Sequence, residues 1–153
     1  MEKKVTVLYV DDEEHNLKSF KASFRRDFEI FLASSGAEGL EVLKKEDINV
    51  ILTDQRMPGM TGIDFLIEAN KVNPEPIRIL VTGYSDINAV IDSINKGQVY
   101  RYVSKPWKEE ELKQTIESAF ELFHLRRENK DLIGKLERAN DQLEFLLRQR
   151  LLS

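Results

Sequence analysis

The spacing of apolar positions changes repeatedly along the first 106 residues of this chain. Five short runs rich in β-branched and aromatic residues are nearly continuously apolar, which is typical of strands buried on both faces. The five runs are residues 5–10, 28–33, 48–53, 77–82 and 100–103. Between them, apolar residues recur every three or four positions, and this spacing predicts amphipathic helices that bury one face.

The first four predicted helices each carry an apolar face of two to four residues. The fourth ends at Gly97, a residue type that commonly stops helices. The shared faces are Leu17, Phe20 and Phe24; Leu40 and Leu43; Phe65, Leu66 and Ala69; and Ile87, Val90, Ile91 and Ile94. Five strand-then-helix repeats with short connections predict a doubly wound α/β domain, with a parallel sheet, right-handed crossovers and helices on both sides.

Polar residues follow four of the predicted strands. In a doubly wound sheet the ligand crevice lies beyond the carboxyl ends of the strands, so these residues are expected to share one edge. Asp54 comes directly before a loop broken by Pro58 and Gly59, where a ligand can reach it. The residues at this predicted edge are Asp11, Asp12, Asp54, Thr82 and Lys105.

From about residue 108 the apolar spacing stays helical to the end of the chain. We therefore divide the chain into a domain of residues 1–120 and a C-terminal helix of residues 121–153 that continues the fifth helix. The fifth helix itself has a wide apolar stripe that is expected to pack on the sheet. The stripe consists of Leu112, Ile116, Ala119, Phe120 and Phe123.

The C-terminal helix carries a narrower heptad pattern, which predicts a coiled-coil homodimer. Asn129 at an a position favours a parallel, in-register pair, and Glu121 of one chain would meet Arg126 of the other. Gly134 falls on the outer face, so it costs roughly 1 kcal/mol of helix stability but does not disturb the packing of the seam. The a positions are Leu122, Asn129, Leu136 and Leu143, and the d positions are Leu125, Leu132, Ala139 and Leu146. The alternative is a single solvated helix whose leucine stripe packs elsewhere.

Composition excludes several classes of function. The 153 residues suit one domain with its own core, and the absence of cysteine excludes disulfides, thiol chemistry and Cys-ligated zinc. The net charge of −4 gives no general attraction to nucleic acid, so we expect no direct nucleic-acid contact by this chain. No apolar stretch is long enough to span a bilayer and the N-terminus leaves no room for a signal peptide. We therefore expect a cytoplasmic protein without membrane contact.

The predicted edge combines charges that require a metal ion. Three carboxylates within about 5 Å repel by roughly 3 kcal/mol per pair at an effective dielectric near 20, so they need a cation. A histidine metal site can be discounted, because His15 and His124 lie far apart on helical segments. The remaining ligands are carboxylate oxygens, which favour Mg²⁺. Phosphoryl transfer to Asp54 would use Mg²⁺ and the charge of Lys105, with a hydroxyl donated by Thr82.

Each of these signals is weak by itself. Asp12 is also a suitable cap for the first helix, Thr82 can simply end a strand, and Lys-Pro is a common dipeptide. Their joint occurrence at the ends of four strands favours a site.

The residues of this edge resemble the receiver domain of two-component response regulators (CheY-like). The resemblance covers about residues 4–120 and implies a flavodoxin-like sheet of five parallel strands in the order 2-1-3-4-5. It rests on the pair Asp11-Asp12, the loop of residues 54–59 with Gly62, Thr82-Gly83, Tyr102 and Lys105-Pro106.

The resemblance implies how such a site works. Asp54 would accept a phosphoryl group from a sensor histidine kinase or a phosphotransfer protein. Mg²⁺ would be bound by Asp12, Asp54 and the backbone carbonyl of Arg56, with Asp11 helping through water. The implied activity is a signalling switch and not an enzyme, apart from self-catalysed phosphotransfer to Asp54 and hydrolysis from it.

The resemblance also implies the switch. Thr82 would move toward the new phosphate and Tyr102 would rotate inward, which reshapes the face made by helix four, strand five and helix five. In this family the peptide bond that corresponds to Lys105-Pro106 is cis. The cis form costs little free energy only when the second residue is proline.

Two bulky residues depart from the simplest family pattern. Arg56 and Tyr84 lie two residues beyond Asp54 and Thr82, near the path of an attacking water, and we predict that they tune the lifetime of the phosphoryl group. Dephosphorylation rates of Arg56→Ala and Tyr84→Ala should differ from the wild-type rate. Unchanged rates would contradict this role.

The segment of residues 100–107 resembles receivers attached to cyclic-dinucleotide phosphodiesterase or activator-type output domains. Because the leucine pattern still runs at Arg150, we expect the chain to be cut within a longer signalling helix. Phosphorylation would then change the angle or register of a dimeric helix that leads to an output domain.

Two alternatives belong to other classes. An aspartyl-phosphate phosphotransferase or phosphatase of the haloacid dehalogenase type would need a second acid where Arg56 stands. A non-phosphorylated scaffold would be expected to lack part of the site.

Overall fold

The computed structural model describes residues 4–83, 87–96 and 99–152. Strands and helices alternate five times in this part of the chain, as the apolar spacing predicted. The strands are β1 (Thr6–Val10), β2 (Glu29–Ala33), β3 (Val50–Asp54), β4 (Ile77–Thr82) and β5 (Arg101–Ser104). The helices are α1 (Glu14–Phe24), α2 (Gly36–Lys45), α3 (Gly62–Val72), α4 (Ile87–Asn95) and α5 (Glu109–Leu152). Gly97, the predicted end of the fourth helix, lies outside the described residues.

All strand pairs in the sheet are parallel, and the strand order is β2-β1-β3-β4-β5. The predicted fold class and strand order are therefore confirmed. β1 and β3 are adjacent near the middle of the sheet, with Val10 opposite Thr53. Farther along, Thr82 at the end of β4 is opposite Ser104 of β5. This register brings the carboxyl ends of four strands to one edge.

Both faces of the sheet are covered by helices, which explains why the strand sequences are almost continuously apolar. Alternate residues of one strand enter different clusters, so that Val7 and Tyr9 pack on one side while Leu8 and Val10 pack on the other. The first cluster includes apolar residues of α1 and α5, and the second includes those of α2, α3 and α4. Each face is therefore a separate hydrophobic layer.

The residues of the predicted helical faces are buried or half-buried, with the exception of Ile91. This residue is 47% exposed, whereas Val90 is fully buried and Ile87 and Ile94 are half-buried. Consecutive residues are rotated by about 100° around a helix, so a face centred on Val90 leaves Ile91 at its margin. The grouping of Ile91 with the core face is therefore wrong.

The beginning of α5 is held by polar contacts, as well as by the core, to α1 and to the turn that follows α1. The Ser23 hydroxyl donates a hydrogen bond of 2.9 Å to the Glu109 carboxylate. The Lys113 ammonium lies 3.1 Å from the Asp27 carboxylate. These contacts fix the helix that follows the Lys105 segment.

The chain divides into two compact units, Met1–Phe123 and His124–Ser153. In the first unit, Leu122 of the predicted seam is half-buried against the core. The second unit belongs to α5, whose helix is not interrupted at Gly134. All seven remaining seam residues are exposed in the single chain: Leu125, Asn129, Leu132, Leu136, Ala139, Leu143 and Leu146.

Within the described parts of the chain, no helix combines the length and the apolar content needed to cross a lipid bilayer.

Candidate functional site

Asp54 is the last residue of the central strand β3 and lies opposite Val81 of β4. It is only 9% exposed, so it is less accessible than the loop-side position in the sequence suggested. The reason is that the strand extends one residue farther than the apolar run and keeps Asp54 within the sheet edge. The Thr53 hydroxyl donates a 3.0 Å hydrogen bond to the Asp54 carbonyl oxygen.

Asp11 and Asp12 follow β1 and join Asp54 in an acidic cluster. One carboxylate oxygen from each of the three lies within 4.8 Å of the others. Asp11 is fully buried and Asp12 is exposed. The cap alternative for Asp12 is wrong, because the N-cap of α1 is Glu13, whose side chain makes no capping hydrogen bond. The Glu13 backbone N–H instead donates to Asp11 Oδ1 at 3.0 Å.

Lys105 follows β5 and supplies the positive charge of the cluster. Its Nζ lies 2.9 Å from Asp54 Oδ1 and 3.5 Å from Asp11 Oδ2. The Lys105 backbone N–H donates to the Thr82 carbonyl oxygen at 3.0 Å, which holds the start of the β5–α5 connection against β4. The Lys105–Pro106 peptide bond is cis.

The electrostatics of the cluster indicate a shortage of positive charge. Burial raises the pKa of Asp54, and the nearby Asp11 adds to this, although Lys105 works in the opposite direction. Burial alone would lower the pKa of Lys105, but the hydrogen bond to Asp54 and the charges of Asp11 and Asp54 together raise it. Lys105 is therefore held in its charged form beside acids that one ammonium group does not fully balance.

Thr82 and Tyr102 occupy different environments. Thr82 ends β4, is 3% exposed and donates its hydroxyl to the Gly83 carbonyl oxygen at 3.2 Å. Tyr102 lies on β5 opposite Leu80 and is half-buried against the apolar cluster on the α2, α3 and α4 side. The structure thus brings Thr82 to the same edge as the acids and places Tyr102 on a neighbouring apolar layer.

The loop between β3 and α3 is closed by contacts around Gly62. The Gly62 backbone N–H donates to the Gln55 carbonyl oxygen at 3.0 Å, and Gln55 Oε1 accepts from the Ile63 N–H at 2.9 Å. A Cβ on Gly62 would lie 2.2 Å from the Asp54 carbonyl oxygen, so only glycine fits here. Arg56 is exposed in this loop. Tyr84, the other predicted lifetime residue, lies outside the described residues.

Two residues of the site were not found by sequence reasoning. The Tyr9 hydroxyl donates to Asp11 Oδ2 at 2.7 Å, and the Asn16 amide donates to the same oxygen at 3.1 Å. The signal for Tyr9 was present, because residues two apart on a strand point to the same face. Because Tyr9 lies within an apolar run, the sequence indicated only a core residue and not a hydroxyl donor.

The donor set of the cluster fits a hard divalent cation. The three converging carboxylates offer oxygen atoms alone, and the raised pKa of Asp54 reflects its own burial and the nearby charge of Asp11. Mg²⁺ prefers such oxygen ligands and needs only one or two carboxylates from the protein. The residues present are therefore compatible with the predicted Mg²⁺ site.

Comparison with known proteins agrees with this geometry. The family model of the response regulator receiver domain matches residues 7–117. The hydrogenase transcriptional regulatory protein HoxA of Cupriavidus necator is 38% identical over 120 residues, which cover 78% of this chain and 25% of that protein. The chain spans about a quarter of the length of the curated relatives it matches.

Solved structures show the same similarity. A structure described as adenylate cyclase from Rhodopirellula baltica has a TM-score of 0.84 and 32% identity, and the match covers 86% of this chain and 98% of that one. A response regulator receiver domain protein from Clostridium thermocellum has a TM-score of 0.75 and 31% identity, with coverage of 79% and 98%.

The fold, the acidic edge and the family match define a regulatory module of two-component signalling. The chain belongs to the response regulator receiver domain family. The family resemblance predicted from the motifs is thereby confirmed. Receiver domains bind Mg²⁺ at an acidic pocket and work with a phosphodonor such as a histidine kinase, and this chain has the corresponding acidic cluster.

Proposed function

We propose that this domain is a cytoplasmic, phosphorylation-dependent switch that accepts a phosphoryl group on Asp54 from a sensor histidine kinase or a phosphotransfer protein. The observation that carries the proposal is the 2.9 Å contact between Lys105 Nζ and Asp54 Oδ1 inside a cluster of three acids. This arrangement supplies an acceptor oxygen, a fixed cation and a metal-compatible donor set together.

The transfer itself needs little covalent chemistry from the protein. An Asp54 oxygen forms a bond to phosphorus while the bond between phosphorus and the donor breaks, and the donor leaves with those electrons. Asp12, Asp54 and the Arg56 carbonyl would hold Mg²⁺, with Asp11 acting through water. The bound metal would neutralise charge on the phosphate oxygens. Lys105 supplies a second positive charge beside the acceptor oxygen and stabilises the negative charge of the transferring group.

A shallow groove gives a phosphodonor a route to this edge. It has a volume of about 360 Å³ and includes Lys105 and residues of α1. Its lining residues are Asn16, Ser19, Lys105, Pro106 and Trp107. Because Lys105 also touches Asp54, a donor side chain seated here would approach the acceptor from the α1 side.

The switch follows from contacts that exist only with phosphate in place. Thr82 would exchange its hydrogen bond to Gly83 for one to a phosphate oxygen, and Tyr102 would turn inward over the vacated space. Up to two added negative charges beside Lys105 make these contacts favourable. A difference in contacts of this kind shifts a two-state equilibrium, and α4, β5 and α5 carry the change outward.

Acetyl phosphate provides a direct test of the proposal. We expect Mg²⁺-dependent incorporation of phosphate into the wild-type protein, and its complete loss in Asp54→Ala. Asp64→Ala is the matched control, because Asp64 is a nearby acid in the first turn of α3 outside the cluster. Equal labelling of Asp54→Ala and the wild type would overturn the proposal.

The C-terminal helix is proposed to pair with a second copy of the chain. Its exposed side chains include Leu132, Leu136 and Leu143, which are 55–70% exposed in the single helix. A parallel partner would cover this row, pair Asn129 with its twin and bring Glu121 against Arg126. The full-length protein would pass the phosphorylation signal through this pair to an output domain.

Sedimentation tests the coiled coil. Wild-type protein should sediment as a dimer, with or without a phosphate mimic, and Leu136→Asp should shift it to monomer because a charge at an a position opposes burial. Arg138→Asp places the same side chain on the outer c position and should remain dimeric. A wild-type monomer under all conditions would remove the coiled coil from the proposal.

A further inference from the structure

Asp11 accepts hydrogen bonds from several described groups of the site. Its side chain is fully buried, and Oδ2 faces the Tyr9 hydroxyl at 2.7 Å, the Asn16 amide at 3.1 Å and Lys105 Nζ at 3.5 Å. Oδ1 accepts from the Glu13 N–H at 3.0 Å. A carboxylate has about four acceptor positions, so these donors use its capacity almost completely. Asp11 therefore contributes a charge whose strength depends on its neighbours.

Tyr9 is held rigidly in its position. Its ring centroid is 4.5 Å from that of Phe20 and 6.0 Å from that of Trp107, which it meets edge-on at 86°. The residue is fully buried, and a buried tyrosine hydroxyl needs a hydrogen-bond partner. Burial and the hydrogen bond to Asp11 raise the pKa of Tyr9, so the hydroxyl stays protonated and remains a donor. Ring packing thus aims one neutral donor at Asp11.

Lys105 lies between Asp54 and Asp11, so the position of its ammonium group depends on how strongly each carboxylate attracts it. It is nearer to Asp54, at 2.9 Å, than to Asp11, at 3.5 Å. Asp11 is the acid that receives the two additional side-chain donors, Tyr9 and Asn16. Hydrogen bonds to a buried carboxylate satisfy part of its charge, which weakens its attraction for other cations.

We propose that Tyr9 is a positioning residue whose hydroxyl, aimed by the Phe20 and Trp107 rings, offsets the charge of Asp11 and thereby keeps Lys105 on Asp54. This inference rests on the proposed role of Asp54 as phosphoryl acceptor. It adds a residue from the core of β1 to the machinery that acts on the phosphoryl group.

The proposal predicts two effects of opposite direction for Tyr9→Phe. The phenyl ring preserves the packing, but Asp11 loses one donor and attracts cations more strongly. Lys105 is drawn toward Asp11, so phosphorylation by acetyl phosphate slows by about fivefold. The acidic cluster also attracts Mg²⁺ more strongly, so the Kd for Mg²⁺ falls by about threefold. A general loosening of the site would instead weaken both processes.

The experiment compares Mg²⁺ binding by calorimetry and labelling by acetyl phosphate in the full chain. Asn16→Ala removes the second donor and should shift both quantities in the same directions but less, because Asn16 is partly exposed. This variant also carries the test should Tyr9→Phe fail to fold. Tyr100→Phe is the control, because it removes a hydroxyl from an exposed ring and should match the wild type in both measurements.

Each possible result either supports or overturns the role of Tyr9. Tighter Mg²⁺ binding with slower labelling supports the role of Tyr9. Unchanged values, or weaker Mg²⁺ binding, in the folded variants overturn it. If the wild type is not labelled at all, the proposed function fails, and the direction of the Mg²⁺ shift still decides whether Tyr9 controls the charge of Asp11.

Discussion

Replacing Lys105 with methionine should slow phosphorylation of Asp54 by about 100-fold, the usual range for loss of one preorganised electrostatic group. The methionine side chain has a similar length but carries no charge, so the contact of 2.9 Å with Asp54 is lost. Binding of Mg²⁺ should become tighter, because removing the ammonium leaves the three acids with less compensation. Labelling rates and Mg²⁺ calorimetry on the same sample measure both effects.

Lys108→Met is the matched control for this experiment. Lys108 lies three residues farther along, and its 80% exposed side chain is 3.9 Å from Glu111, away from the acids. It should keep wild-type labelling and metal binding. A Lys105→Met protein that is labelled at the wild-type rate would show that the ammonium does not act on the phosphoryl group.

Gly62→Ala should destabilise the domain by about 3 kcal/mol, because inserting atoms into a tightly packed position forces backbone to move. The new Cβ would lie 2.2 Å from the Asp54 carbonyl oxygen and 2.9 Å from a Leu80 methyl group. Relief requires the start of α3 to move away from β3, which also displaces Asp54. We expect reduced stability in urea unfolding and reduced labelling in the protein that remains folded.

Gly83→Ala provides the comparison for Gly62→Ala at the same edge of the sheet. A Cβ on Gly83 would meet nothing within 4 Å, so its effect on stability should stay within about 0.5 kcal/mol. Similar destabilisation of both variants would mean that the contact between Gly62 and Asp54 is not the cause.

The fold was predictable from the sequence because local patterns and tertiary packing agree. Strands such as β1 and β3 are buried on both faces, so their composition alone identifies them. Their alternation with amphipathic helices favours a doubly wound parallel sheet. Asp11, Asp54 and Lys105 were predictable for the same reason, since each directly follows or ends a recognisable strand.

Features that depend on distances between separate segments of the chain were harder to predict from the sequence. The exposure of Ile91 reflects the centring of the α4 face on Val90, which a list of apolar residues does not reveal. The requirement for glycine at position 62 arises from the approach of the α3 start to the Asp54 carbonyl oxygen. The polar role of Tyr9 was hidden because its ring is a core residue and only its hydroxyl reaches Asp11.

The most direct test of the central claim is to locate the phosphoryl group. Wild-type protein is treated with acetyl phosphate and Mg²⁺, the acyl phosphate is trapped by borohydride reduction, and the modified peptide is sequenced by mass spectrometry. We predict a single modified residue, Asp54. Modification at another residue, or an unmodified Asp54 in Mg²⁺-saturated, folded protein, would contradict the account.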